Sequence, residues 1–123
     1  MKGNYPVTSD YEYRINPITG KAETHNGIDY GAPAGTPIYA VASGTVSWAY
    51  SSNSAGNWIG IYHGNKLYSV YMHMSAFAVS EGDYVNQGDL IGYVGSTGWS
   101  TGPHLHLSFR YDGNYVNPHI YIG

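Results

Sequence analysis

Short apolar runs separated by glycine-containing polar turns set the rhythm of this chain. Pro37-Ile38-Tyr39-Ala40-Val41-Ala42 predicts a strand, and Ser43-Gly44 turns it into a second, Thr45-Val46-Ser47-Trp48-Ala49-Tyr50. Residues 51–57 are polar and predict a loop. Trp58-Ile59-Gly60-Ile61-Tyr62-His63 then alternates into Leu67-Tyr68-Ser69-Val70-Tyr71-Met72 across Gly64-Asn65, a hairpin signal. Tyr84-Val85 and Leu90-Ile91-Gly92-Tyr93-Val94 flank the turn Asn86-Gln87-Gly88-Asp89, and 104–111 predicts the last strand. No segment has a helical period. The first 24 residues read as an irregular, partly extended lead-in, with 1–13 the least regular part and a turn at Asn16-Pro17-Ile18-Thr19-Gly20. Short strands with regular turn signals predict an all-β, mainly antiparallel fold, a sandwich or barrel.

A length of 123 residues predicts one domain spanning 1–123. Only 11% of residues are charged and the net charge is −3, so no basic face for nucleic acid or anionic lipid is expected. The five cationic residues Lys2, Arg14, Lys21, Lys66 and Arg110 are scattered. No apolar run approaches membrane-spanning length and no signal peptide is visible, so no membrane insertion is expected. There is no cysteine, so no disulfide staples the fold and any transition-metal site must draw on His, Asp or Glu. Fourteen tyrosines against two phenylalanines suggest a surface both aromatic and wet, since a buried tyrosine hydroxyl needs a partner.

The chemistry concentrates in three places. In Thr101-Gly102-Pro103-His104-Leu105-His106-Leu107 the period of two puts His104 and His106 on one face of a strand, with Leu105 and Leu107 on the other. His25-Asn26-Gly27-Ile28-Asp29 supplies an imidazole and a carboxylate four residues apart, on a loop running into a short strand rather than a helix, because Gly27 and Gly31-Ala32-Pro33 oppose a helix. Two histidines and one carboxylate, His25, Asp29 and His106, form the three-ligand set of a catalytic zinc site with a position left for water. Spacing alone also allows His104 as a fourth ligand. His73 ends a predicted strand after Tyr71-Met72, whereas His63 and His119 read as ordinary structural histidines.

Together these residues resemble the lysostaphin-type zinc metallopeptidases, the LytM-domain group of peptidoglycan endopeptidases. The resemblance runs from about Arg14 to the end. It rests on Arg14-Ile15-Asn16-Pro17-Ile18-Thr19-Gly20, on the stretch from His25 to Pro37, and on Tyr71-Met72-His73-Met74-Ser75. Val85–Gly92, Gly95-Ser96-Thr97-Gly98 and Gly102-Pro103-His104-Leu105-His106 complete it in the family's order. It implies that His25, Asp29 and His106 hold one zinc ion, and that His73 and His104 are catalytic without binding the metal. One departure is visible: many relatives place Phe-Gly or Tyr-Gly before the arginine, where this chain has Ser9-Asp10-Tyr11-Glu12-Tyr13.

No His-Glu-x-x-His stands in the chain, so the proton carrier is an imidazole rather than that motif's carboxylate. His104 is the first choice for general base, with His73 stabilising the oxyanion or orienting the water, and the two roles can be exchanged. Loops at 51–57, 74–79 and 96–101 are expected to wall a groove lined by Tyr30, Tyr71 and Trp99. The expected substrate is a peptidoglycan cross-bridge or stem peptide, met by a monomer outside the cytoplasm, in the cell wall or as part of a phage particle. Two other readings exist. A biotinyl- or lipoyl-type carrier would share the rhythm of Val85–Gly92, but it needs a lysine between small or Met flanks, and Lys66 has Asn65 and Leu67. A non-catalytic LytM-type module would bind the wall or activate a partner without cleaving, but here all five motif positions are filled.

Overall fold

The computed structural model describes residues 7–9, 13–15, 22–24, 27–98 and 102–116. Among these there is no helix, in agreement with the all-β expectation. The strands are β1 (Val7–Ser9), β2 (Tyr13–Ile15), β3 (Ala22–Thr24), β4 (Gly27–Gly31), β5 (Pro37–Tyr39) and β6 (Gly44–Ser52), followed by β7 (Gly56–Gly64), β8 (Leu67–Phe77), β9 (Tyr84–Val85), β10 (Leu90–Val94), β11 (His104–Tyr111) and β12 (Asn114–Val116). One antiparallel sheet runs β1-β4-β11-β8-β7-β6-β9, with β10 joining β8 to β5 and β12 added beside β11. β2 and β3 form a separate hairpin.

β11 has the bounds the alternation predicts, 104–111, but it is not the last strand, because Asn114–Val116 pairs back onto it as β12. Elsewhere tertiary pairing extends or creates strands. β8 runs on to Phe77 because β10 pairs with Met74, Ala76 and Phe77, so most of the segment expected as a loop at 74–79 is strand. Residues 7–9, within the expected irregular lead-in, form a strand because β4 offers a paired edge at Asp29 and Tyr30. The turn expected at 16–20 lies outside the described residues. Between β7 and β8, Asn65 and Lys66 both take positive φ (51° and 67°), the conformation that matches the right-handed twist of a two-residue hairpin.

The core lies on one face of the sheet. Ile38, Val46, Ile59, Ile61, Tyr71, Met74, Val85, Ile91 and Val94 pack there with Leu105, Leu107 and Phe109. Burying one such side chain contributes ~1.5–3 kcal/mol. On β11 the odd positions face this core, which leaves His104, His106, Ser108 and Arg110 on the opposite face, as the period of two requires.

Candidate active site

β11 lies between β4 and β8, and the register sets the site. His106 is directly opposite Asp29 on one side and Met72 on the other. Directly opposed residues in a sheet share a face, so this pairing alone brings the carboxylate to the imidazole. His106 Nδ1 lies 2.6 Å from Asp29 Oδ1. The same oxygen is 3.7 Å from His104 Nε2. The other nitrogen of His106, Nε2, is 2.9 Å from the Ser108 hydroxyl. The contacts fit two tautomers: Nδ1–H donating to Asp29 with Nε2 accepting from Ser108, or, when Nδ1 gives its lone pair to a metal, Nε2–H donating to the Ser108 hydroxyl oxygen.

Gly27 makes this approach possible. It pairs with Ser108, and a Cβ there would stand 2.2 Å from the Leu107 carbonyl oxygen and 2.6 Å from the Ser108 hydroxyl. Any side chain would push β4 away from β11.

His73 arrives by a different device. Asn57 pairs with Met74 and Ile59 with Tyr71, so Met72 and His73 together face the single residue Trp58. This is a β-bulge, which bends a strand and re-aims a side chain. His73 has φ 63°, in the left-handed region, at a cost of ~1–2 kcal/mol for a residue with a Cβ. Four contacts hold the bulge. His73 N–H donates to the Ala55 carbonyl at 2.8 Å, and the ring Nδ1–H donates to the Thr97 carbonyl at 2.7 Å. Thr97 Oγ1 donates to the Met74 carbonyl at 2.7 Å and accepts from Asn57 N–H at 3.0 Å. The rings of His73 and His104 come within 5.0 Å, centroid to centroid, and that of His73 within 6.2 Å of His106.

The electrostatics follow from this placement. Burial pushes the His73 pKa down, and the neighbouring His104 and His106 act in the same direction. The bond to Thr97 and the Asp29 carboxylate oppose them without overcoming the burial. His73 is therefore neutral at pH 7. Like His73, His104 bonds a main-chain carbonyl through Nδ1, that of Gly102 at 2.9 Å. In a neutral ring bonded this way the lone pair sits on Nε2.

A pocket of about 360 Å³ opens beside these groups, lined by Ser52, Ser54, Ala55, Trp58, Met72, His73, His106 and Tyr115. The segment 51–57, expected as a loop, is the end of the β6–β7 hairpin, and its Ser52, Ser54 and Ala55 form one wall. Two of the three expected groove aromatics are elsewhere. Tyr71 is fully buried in the core, where its hydroxyl accepts from Val41 N–H at 3.1 Å and from Ser69 at 2.9 Å. It pairs with Leu107 and so shares the core face. Tyr30, one residue from Asp29, takes the opposite parity and packs against the core. Strand alternation sends both to the core face although they stand beside the motifs in sequence. Trp58 and Tyr115 line the pocket instead. Ser108 was also missed, although 104, 106 and 108 share one face by the same rule.

His25 and Trp99 lie outside the described residues, as does His119. Among the described residues no group of three or more His, Asp or Glu gathers in a geometry ready to hold a metal ion. His106 Nδ1 and Asp29 Oδ1 lie side by side at 2.6 Å, and such a nitrogen–oxygen pair fits the donor chemistry of zinc once Nδ1 carries no proton. His63 is structural, within hydrogen-bond distance of the Ser43 carbonyl (2.8 Å) and the Ser69 hydroxyl (2.7 Å).

Comparison with known proteins gives a consistent picture. The model of peptidase family M23 matches residues 23–118. The chain is 46% identical over 112 residues to the DD-carboxypeptidase/endopeptidase Mpg of Neisseria meningitidis, covering 91% of this chain and 26% of that protein. It superposes on the catalytic domain of the antimicrobial peptidase lysostaphin from Staphylococcus simulans with a TM-score of 0.88 at 35% identity, over 96% of this chain and 92% of that one. A zinc-containing peptidase from Vibrio cholerae superposes with a TM-score of 0.86 at 34% identity, over 91% of this chain and 35% of that one. The chain spans about a quarter of the length of the curated relatives it matches.

Proposed function

The chain belongs to peptidase family M23, and we propose that it is a zinc-dependent endopeptidase domain that hydrolyses peptide bonds in bacterial peptidoglycan cross-bridges or stem peptides. The observation that supports this most directly is the convergence of His106 Nδ1 and Asp29 Oδ1 at 2.6 Å, beside two further histidines and an open pocket. His25, Asp29 and His106 would hold one zinc ion per chain. Zinc bound there supplies Lewis acidity, polarising a scissile carbonyl and lowering the pKa of water toward neutrality.

The protein's own groups handle the proton and the orientation. Asp29 and Ser108 fix the His106 ring from its two nitrogens, so it cannot rotate away. His73 and His104 each commit Nδ1 to a main-chain carbonyl and present Nε2 as a base. A proton taken from water by this pair is returned to the departing amine. Burial keeps His73 neutral and so competent as an acceptor at pH 7. The pocket, with walls from the β6–β7 hairpin and Tyr115, suits a thin peptide.

The setting we propose is outside the cytoplasm, in the cell wall or a phage particle, with the domain acting as a monomer. The test is to incubate the zinc-loaded protein with purified sacculi. New amino termini without new reducing ends are expected. New reducing ends alone would overturn the endopeptidase reading in favour of a glycosidase, and bound zinc without cleavage would make this a non-catalytic module.

A further inference from the structure

Arg110 stands on the same face of β11 as His106 and Ser108, four residues beyond His106. Its guanidinium lies between two rings: Cζ is 5.1 Å from the Tyr115 centroid and 5.7 Å from that of Trp48. Arg110 does not itself line the pocket, and the two rings connect it to the pocket wall. Tyr115 lines it directly, while Trp48 packs at 4.9 Å on Trp58, which also lines it. Arg110 Nε is buried with no hydrogen-bond partner. Among the described residues no carboxylate lies within ion-pair distance of the guanidinium, because the described ion pairs involve Lys66, His104 and His106. No Lys, Asp or Glu side chain lines the pocket.

A half-buried guanidinium with its Nε unpartnered and no carboxylate beside it among the described residues is an incomplete arrangement. Cation–π contact with two rings holds it in place but uses none of its donors. The planar fork matches a carboxylate, which it binds through two parallel N–H···O bonds. Stacking between Trp48 and Tyr115 fixes the fork in advance, so little rotamer freedom remains to be lost on binding.

We propose that Arg110 is a carboxylate-binding subsite for the peptide substrate. It would recognise an acidic group remote from the bond that is cut, on the Tyr115 side of the pocket. This rests on the peptidase reading above. It also makes that reading more specific: the preferred substrate is an acidic peptide with its carboxylate free, and amidation of that carboxylate weakens it.

The test uses the zinc-loaded protein and two stem peptides without cross-links, identical except that the side-chain carboxylates of one are amidated. Binding is followed by tryptophan fluorescence, because Trp48 lies under the guanidinium. The acidic peptide should bind about tenfold more tightly than its amide, the value of one charge-assisted bond at a partly exposed site. Added salt should shrink that preference. Arg110→Gln should abolish it and Arg110→Lys should keep part of it. Equal affinity for the two peptides in the unmodified protein would overturn the proposal, whether or not Arg110→Gln folds, and so would an undiminished preference in a folded Arg110→Gln. Sacculus cleavage is measured alongside. Cleavage without discrimination removes the subsite and keeps the peptidase, while discrimination without cleavage does the reverse.

Discussion

Ser108 reaches the nitrogen of His106 that Asp29 does not: its hydroxyl is 2.9 Å from Nε2, while Asp29 meets Nδ1. Ser108 is completely buried, so water cannot replace it. Ser108→Ala should weaken zinc binding by ~10–100-fold, as loss of an outer partner of a ligating histidine does. Competition against a chromophoric chelator measures this. Nitrogen NMR of the zinc-loaded protein should show the Nε2–H tautomer of His106, blurred in the variant. An unchanged zinc affinity would remove Ser108 from the site.

Metal holding and proton transfer should separate cleanly. Asp29→Ala and His106→Ala should lose zinc and activity together. His73→Ala and His104→Ala should keep zinc and lose ~100-fold or more in rate, the contribution of a positioned acid–base group. Metal analysis beside turnover on sacculi decides this, and normal turnover in either His variant at full occupancy would exclude that residue.

Burial sets the acid limit of activity. The His73 pKa is lowered, so the neutral ring survives to lower pH than a free imidazole does. Activity that needs neutral His73 should persist below the ordinary imidazole value of ~6.5 and fail only as pH drops further. A profile of kcat/KM against pH at constant zinc occupancy checks it; an acid limb centred at or above that value contradicts it.

The alkaline limit of stability comes from a different group. Burial pushes the Tyr71 hydroxyl up from 10.0 to about 12. Between those values the folded protein keeps a proton that the unfolded chain has released, so stability is intact below pH 10 and falls as pH rises toward 12. The full loss is about 2–3 kcal/mol at 1.36 kcal/mol per unit. Urea denaturation across this range should show the decline, and Tyr71→Phe should flatten it. Because that variant leaves Val41 N–H without its acceptor, it should also start ~1–2 kcal/mol less stable at neutral pH.

Much of this was legible in the sequence because a strand has the simplest periodicity available. Alternation placed β11 and put His104 and His106 on its outer face. The His25–Asp29 spacing offered Asp29, and the family resemblance then gave His73 its catalytic role. What stayed hidden depends on pairing. Nothing local marks Val7–Ser9 as a strand, since only the edge of β4 makes it one. The bulge at His73 arises from a mismatch between β7 and β8 that neither strand shows alone. Tyr30 and Tyr71 were misplaced because closeness in sequence to a motif is not closeness in space.

β11 has neighbours on both edges from His106 to Ser108, with β4 on one side and β8 on the other. Its amides can exchange with solvent only when the sheet itself comes apart, so this stretch belongs with the slowest-exchanging part of the molecule. The catalytic face is thus built on the region that opens last. Partial fraying at the β9 edge or the β7–β8 hairpin tip would leave the constellation intact, whereas the β6–β7 tip holds His73 through Ala55. The His106–Asp29 pair should therefore survive heating up to the global transition.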